Sequence, residues 1–203
     1  MYTQWSWGYR RNMELADVLS VLDVITQLAS TISCGGNLLV RHTRTRYTQV
    51  TSQPPLPAHV VARCVLPALT QINVGPTSAG TIDAVFQDRL LGLGAWLLVN
   101  GEAVYSSKPW RAQNDTAAEL VWYTSQPSTG AVYAIVLAWP TNNQLVLTQP
   151  VTTGATAVSM LGTPATVAFT SNGGSGMTVT LPSLAPSALP STVAWVLKLT
   201  GVN

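Results

Sequence analysis

Charge is what this chain has least of. Charged residues are 9% of its 203 positions, against about 25% in ordinary globular domains. Hydrophobic residues reach 47%. That pairing excludes a disordered, charge-solvated chain and leaves ample side chain for a core. Cysteine is also scarce, at 2, which excludes a disulfide-stapled miniprotein. The spacing of Cys34 and Cys64 leaves open whether they pair or stay free. Gly 15 and Pro 13 are too few for collagen or low-complexity sequence. No apolar run is long. Leu90 to Val99 is about half of the ~20 residues a membrane helix needs, so no membrane span is expected. The start lacks a basic segment followed by a short apolar stretch, so no signal peptide is read.

The few charges are unevenly placed. Arg41, Arg44, Arg46 and Arg63, with both histidines (His42 and His59), fall between positions 40 and 71, where no acid occurs. The remainder is net negative, without the basic footprint that nucleic-acid binding needs. Beyond Glu119 the only charged side chain is Lys198.

Periodicity divides the chain. Leu15, Val18, Leu19, Leu22, Ile25, Leu28, Ala29 and Ile32 recur at helical steps and predict an amphipathic helix, with Asn12 as N-cap and Gly35-Gly36 as its stop. Asn37-Leu38-Leu39 and Ile72-Asn73-Val74 read as short buried strands. A second helix runs from a Thr81 cap to Asn100-Gly101, with Ile82, Val85, Phe86, Leu90, Leu93, Trp96 and Leu97 on its apolar face. Helix, strand, loop, helix is an α/β layer. From Glu102 onward the pattern reads as alternating. Strands are expected near Glu119–Thr124, Ala131–Trp139, Gln144–Leu147, Ala157–Leu161, Thr166–Phe169, Met177–Leu181 and Val193–Leu199, giving an antiparallel sandwich. The segment 40–71, with Pro54, Pro55, Pro57 and Pro67, fits neither pattern.

Several stretches carry a family resemblance. They are Ser6-Trp7-Gly8-Tyr9-Arg10-Arg11, Gly35-Gly36-Asn37-Leu38-Leu39, Asn73-Val74-Gly75-Pro76-Thr77 with Gly80, Phe86-Gln87-Asp88-Arg89-Leu90-Leu91, Asn100-Gly101-Glu102-Ala103-Val104-Tyr105, Ser107-Lys108-Pro109-Trp110, and Ala194 to Val202. In this order they resemble the C-terminal half of animal-type (lysosomal) α-L-fucosidases, glycoside hydrolase family 29. The resemblance implies an α/β remnant of a TIM-type barrel over 1–100, with an anomalous insert at 40–71. An all-β antiparallel sandwich follows over 101–203. It also implies hydrolysis of terminal α-L-fucose from glycoproteins and glycolipids with retention, no cofactor, fucosylated glycans as partners, and a lysosomal or secreted parent that could form homo-oligomers. Retention needs two carboxyl groups roughly 5 Å apart. In the family both lie upstream of the Ser-aromatic-Gly-Tyr segment, so no catalytic residue is assigned here and this chain alone is expected to be inactive. Deleting Val40–Gln71 restores the family's Gly-Gly-Asn-Leu-Leu-Ile-Asn-Val-Gly-Pro-Thr order, as a retained intron would require.

The resemblance makes Trp7 the substrate-binding residue. Its ring would lie against the sugar's methyl group and apolar face. Tyr9 reads as structural. Glu14 and Asp17 read as a solvated helix start, Asp88 and Arg89 as an ion pair, and Glu102 as an anchor at the domain junction. His42, His59 and Cys64 match no zinc spacing, so no metal site is expected. Asn114-Asp115-Thr116 is an N-glycosylation acceptor, with Asn114 as the modified residue. Gly173-Gly174-Ser175-Gly176 precedes a strand and reads as a turn. The rival reading is a stand-alone carbohydrate-binding or scaffold sandwich that offers Trp110, Trp122, Trp139 and Trp195 as platforms.

Overall fold

The computed structural model describes residues 12–41, 69–115, 117–118 and 120–203. Helix α1 is Val21–Ser33. Its N-cap is Ser20 rather than Asn12. Ser20 Oγ accepts from the Asp23 N–H at 3.1 Å, and Asp23 Oδ2 accepts from the Ser20 N–H at 2.8 Å. This reciprocal box satisfies two otherwise orphaned donors, so the α-helix starts there. The residues before it form only a 3-10 turn, Leu15–Asp17, with Asp17 Oδ2 accepting from the Glu14 N–H. The predicted stop is present. Gly35 takes φ +78°, and the N–H groups of Gly36 and Gly35 reach the carbonyls of Thr31 and Ile32 at 2.8 and 3.0 Å. That geometry is a Schellman motif, and it needs the left-handed residue that glycine supplies. Cys34, just before it, is disulfide-bonded, which resolves the choice left open for that residue.

Strands β1 (Asn37–Arg41) and β2 (Leu69–Asn73) pair in parallel. The strands therefore run into both ends of the 40–71 segment rather than stopping at its edges. Its basic and proline-rich interior, with His42, His59 and Cys64, lies outside the described residues. After β2 the chain turns, with Thr77 and Thr81 joined Oγ1 to Oγ1 at 2.8 Å. Thr81 is thus committed to Thr77 and does not cap the next helix. Asp83 does, its Oδ1 accepting from the Val85 N–H at 3.0 Å, where a carboxylate also meets the positive end of the helix dipole. Helix α2 is Ala84–Asn100, ending at Gly101 as expected. Phe86, Leu93 and Trp96 are its buried face. Gly92 lies so close to Val21 that a Cβ there would meet Val21 Cγ2 at 2.7 Å.

The remaining strands are antiparallel: β3 (Lys108–Asn114), β4 (Val121–Gln126), β5 (Ala131–Val136), β6 (Gln144–Leu147), β7 (Thr152–Met160), β8 (Ala168–Ser171), β9 (Met177–Thr180) and β10 (Trp195–Val202). They form a five-stranded sheet, β3-β4-β5-β10-β7, and a three-stranded sheet, β6-β9-β8. Strand β3 escapes the sequence pattern because Pro109 and the polar residues around it break alternation. It is an edge strand, where proline is tolerated. Strand β7 starts earlier than its Thr- and Gly-rich sequence suggests. Its pairing with β10 slips between Thr200 and Val202, beside Gly201, whose φ of +62° and close approach to Ala155 exclude a side chain.

The central sheet is covered on both faces. Val121, Tyr123, Val132, Ala134, Val136, Leu197 and Leu199 pack with β6, β8 and β9 residues such as Leu147, Met177 and Val179. Their neighbours on the other face, Trp122, Tyr133, Ile135 and Val196, pack with α1 and α2. The architecture is therefore mostly antiparallel sheet with few helices: a sandwich with helices laid on its outer face. The expectation of simple alternation fails at β5, all six of whose residues are buried. A two-faced strand reads as a continuous apolar run. A barrel is not seen: parallel pairing among the described residues is limited to β1 and β2.

Polar ties fasten the helices to the sheet. Trp96 Nε1 donates to the Ala194 carbonyl at 3.1 Å, and Thr124 Oγ1 to the Ala103 carbonyl at 2.8 Å. Glu102 Oε1 accepts from the Tyr133 hydroxyl at 2.6 Å and from Lys198 Nζ at 2.5 Å. Trp96→Ala is expected to cost about 3 kcal/mol or more. Urea unfolding measures it, and a loss under about 1 kcal/mol would show that the helix–sheet face is not core.

Candidate functional site

Retaining glycoside hydrolysis needs two carboxyl groups free to face a substrate. The described carboxylates are engaged elsewhere. Asp23 and Asp83 cap helices, and Asp17 closes a turn. Asp88 pairs with Arg89 at 2.6 Å, as expected. Glu102 is held by Lys198 and Tyr133, which lower its pKa from the ordinary carboxylate value, so its reading as an anchor stands. Glu14 precedes the 3-10 turn and forms a capping box with Asp17, each side chain accepting from the other's backbone N–H. Glu119 lies outside the described residues.

Asp115 is the residue whose role the sequence did not disclose. It is 1% exposed, at the end of β3. Its Oδ2 accepts from the Tyr123 hydroxyl at 2.7 Å, the Thr148 N–H at 2.8 Å and the Gln149 N–H at 3.4 Å. Its Oδ1 accepts from the Ala117 and Ala118 N–H groups at 2.8 and 3.3 Å, and from Thr148 Oγ1 at 2.9 Å. Burial pushes its pKa up, but the Tyr123 hydroxyl and the Ala117 and Thr148 donors outweigh it, and the net direction is down. Burial and the Asp115 charge push Tyr123 the other way. A carboxylate filled by six donors cannot shuttle protons. It ties the β3–β4 connection to the β6–β7 connection. Nothing in the sequence sets it apart from the neighbouring charges Lys108, Arg111 and Glu119.

The remaining candidates scatter. Trp7 and Tyr9 lie outside the described residues. Asn114 is half-buried at the end of β3, its Nδ2 donating to the Asp115 carbonyl at 3.3 Å. Gly173–Ser175 is a 3-10 turn ahead of β9, as read from the sequence. Of the four tryptophans offered as platforms, Trp122 is buried under the helices. Trp110 packs edge-on to Tyr123 at 5.2 Å with the Arg111 guanidinium over its ring. Trp139 and Trp195 meet edge-on at 5.0 Å and line one open groove. Among the described residues no group of three or more His, Cys, Asp or Glu could hold a metal, and no helix is long and apolar enough to cross a membrane.

Residues 113–200 match the alpha-L-fucosidase C-terminal domain. The chain is 41% identical over 200 residues to tissue alpha-L-fucosidase of Homo sapiens, spanning 98% of this chain and 36% of that protein. It is 42% identical over 197 residues to an alpha-L-fucosidase of Branchiostoma floridae, spanning 97% and 36%. Among solved structures, Thermotoga maritima alpha-fucosidase in complex with fucose is similar in fold, with a TM-score of 0.66 at 24% identity over 96% of this chain and 37% of that one. The chain thus spans little more than a third of the curated relatives it matches.

The Asp115 cluster has a pH signature. Because its folded pKa is lowered, its contribution to stability is present above the unfolded value near 3.9 and is lost as pH falls through the lower folded value. The melting temperature is expected to drop below about pH 4. Asp115→Asn places an amide N–H against donors and is expected to cost about 3 kcal/mol at neutral pH. Thermal melts of both proteins across acid pH check this. An Asp115→Asn protein as stable as the parent at pH 7 would contradict it.

Proposed function

From the match of residues 113–200 to the alpha-L-fucosidase C-terminal domain and the likeness to whole fucosidases, we propose that the chain is the C-terminal portion of a retaining α-L-fucosidase. The whole enzyme would release terminal α-L-fucose from glycoproteins and glycolipids in the lysosome or outside the cell, as a homo-oligomer or alone. The observation that carries the reading is the 41% identity over nearly all of this chain. The engagement of the described carboxylates in caps, ion pairs and the Asp115 cluster fits the family pattern, in which the nucleophile and the acid/base stand upstream.

We assign residues 1–100 to the end of a (β/α) barrel and 101–203 to the sandwich. The parallel β1–β2 pair flanked by α1 and α2 supports this. Within the described residues neither outer edge of that pair has a further strand, and Leu91 and Leu98 are 73% and 90% exposed on α2. A closed barrel would complete those edges. In it Trp7 would rest against the methyl face of fucose. Val40–Gln71 would interrupt one family strand, and transcripts joining Leu39 to Ile72 would identify the segment as a retained intron. Uniform read coverage through the segment would refute that origin.

This chain alone is expected to show no turnover of an aryl α-L-fucoside; saturable hydrolysis would overturn the assignment of the reacting carboxylates. In the enzyme carrying the upstream barrel, Trp7→Ala is expected to raise KM about tenfold, equivalent to roughly 1.4 kcal/mol of lost contact. An unchanged KM would remove Trp7 from the site. Asn114 would carry an N-glycan when the protein is secreted from animal cells. A mobility shift on glycosidase treatment, absent in Asn114→Gln, is the expected result.

A further inference from the structure

One end of the sandwich holds a groove of about 470 Å3, within the range of about 300–1,000 Å3 that small-molecule sites occupy. Its walls include Trp139, Trp195, Asn143, Leu189, Ser183 and Thr192, and none of its lining side chains is charged. A charged ligand would find no counter-charge there.

The two indoles are anchored by their polar atoms. Trp139 Nε1 donates to Asn143 Oδ1 at 2.6 Å, and Trp195 Nε1 to the Ser191 carbonyl at 3.1 Å. With both N–H groups used, the rings have only their carbon surfaces to offer a ligand. They stand 78° apart and make a corner rather than a flat stack. The backbone beneath each ring is fixed. Asn143 holds a left-handed φ of 56°, with its N–H on the Pro140 carbonyl and its own carbonyl on the Leu181 N–H. Ala194, next to Trp195, holds φ 53° while buried, its carbonyl taken by Trp96. Neither residue is glycine, and such conformations persist only where the surroundings enforce them.

Hydroxyl-scale polarity surrounds the rings. Ser183 and Thr192 are exposed at the rim. Asn143 Nδ2 has one long contact, 3.5 Å to Ser183 Oγ, which leaves donor capacity. A purely apolar occupant would strand these groups. A neutral ligand with a C–H face and several hydroxyls satisfies both the corner and the rim.

We propose that the groove between Trp139 and Trp195 binds an uncharged pyranose unit of a glycan. The site does not depend on the hydrolase reading, since it needs no reacting carboxylate.

The test is a titration of the whole chain, labelled with 15N, using methyl α-L-fucopyranoside and N-acetyllactosamine, with glucuronate as the charged control. The indole N–H signals of Trp139 and Trp195 are identified by their loss in Trp139→Phe and Trp195→Phe. Both are expected to shift saturably with a neutral saccharide, with a Kd on the order of 1 mM. Thr192→Arg, at the exposed rim, is expected to weaken that binding by about tenfold or more while leaving the rest of the spectrum in place. Silence of both signals at saccharide concentrations about tenfold above that Kd overturns the proposal. So does a shift unchanged by Thr192→Arg, or a response to protein concentration alone. A shift confined to the Trp7 indole overturns it too, while supporting Trp7 as a fucose contact.

Discussion

The structure depends on one strand being buried from both sides. β5 lies between β4 and β10, and all six of its residues are covered. Val132, Ala134 and Val136 face the smaller sheet, while Tyr133 and Ile135 face the helices. Apolar burial at about 25 cal/mol per Å2 therefore works on both faces of the same backbone. The helices and the sandwich share this sheet as a common wall. That explains why the buried ties at the junction, Trp96 to Ala194 and Thr124 to Ala103, are single neutral hydrogen bonds. They orient layers that burial already holds.

Asp115 solves a different problem. The β3–β4 connection stays within the five-stranded sheet, whereas the β6–β7 connection crosses to it from the smaller sheet, and few charges are at hand to join them. One buried carboxylate gathers donors from both, and Tyr123 reaches it from the core. A buried charge is tolerable only when its lone pairs are filled, and here they are. Glu102 does a looser version of the same task at the helix junction, exposed and shared between Tyr133 and Lys198.

What could be read in advance follows from how local each signal is. β6 appears over Gln144–Leu147 as its alternating sequence predicts, with Leu145 and Leu147 inward. The Gly35-Gly36 stop was legible because a left-handed turn has few chemical solutions; α2 also ends at a glycine, but Gly101 stays right-handed, with φ −59°, and leads into a 3-10 turn. The N-caps were not. Asn12 and Thr81 are good cap residues, but Ser20 and Asp83 have better partners, and only the folded geometry ranks them. β3 was hidden by Pro109, and the two-sided wall by the habit of expecting alternation, although the run from Ala131 to Leu137 carried the signal. The site was least legible. Trp139 and Trp195 lie far apart in sequence and meet only through the return of β10 beside β5.

Scarcity of charge ties these features together. Beyond position 119 Lys198 is the only charged side chain, so the sandwich holds itself largely by burial and neutral hydrogen bonds, with Asp115 and the Glu102–Lys198 pair as its charged ties. Its surface is largely Thr, Ser and Asn, which remain neutral across the acid range where carboxylates titrate. Acid therefore has few groups to act on there. The main one is Asp115, whose donors keep it ionised below the ordinary carboxylate range. A fold built this way keeps its shape in mildly acidic surroundings, because the two carboxylates that tie it, Asp115 and Glu102, both hold their charge below the ordinary carboxylate range.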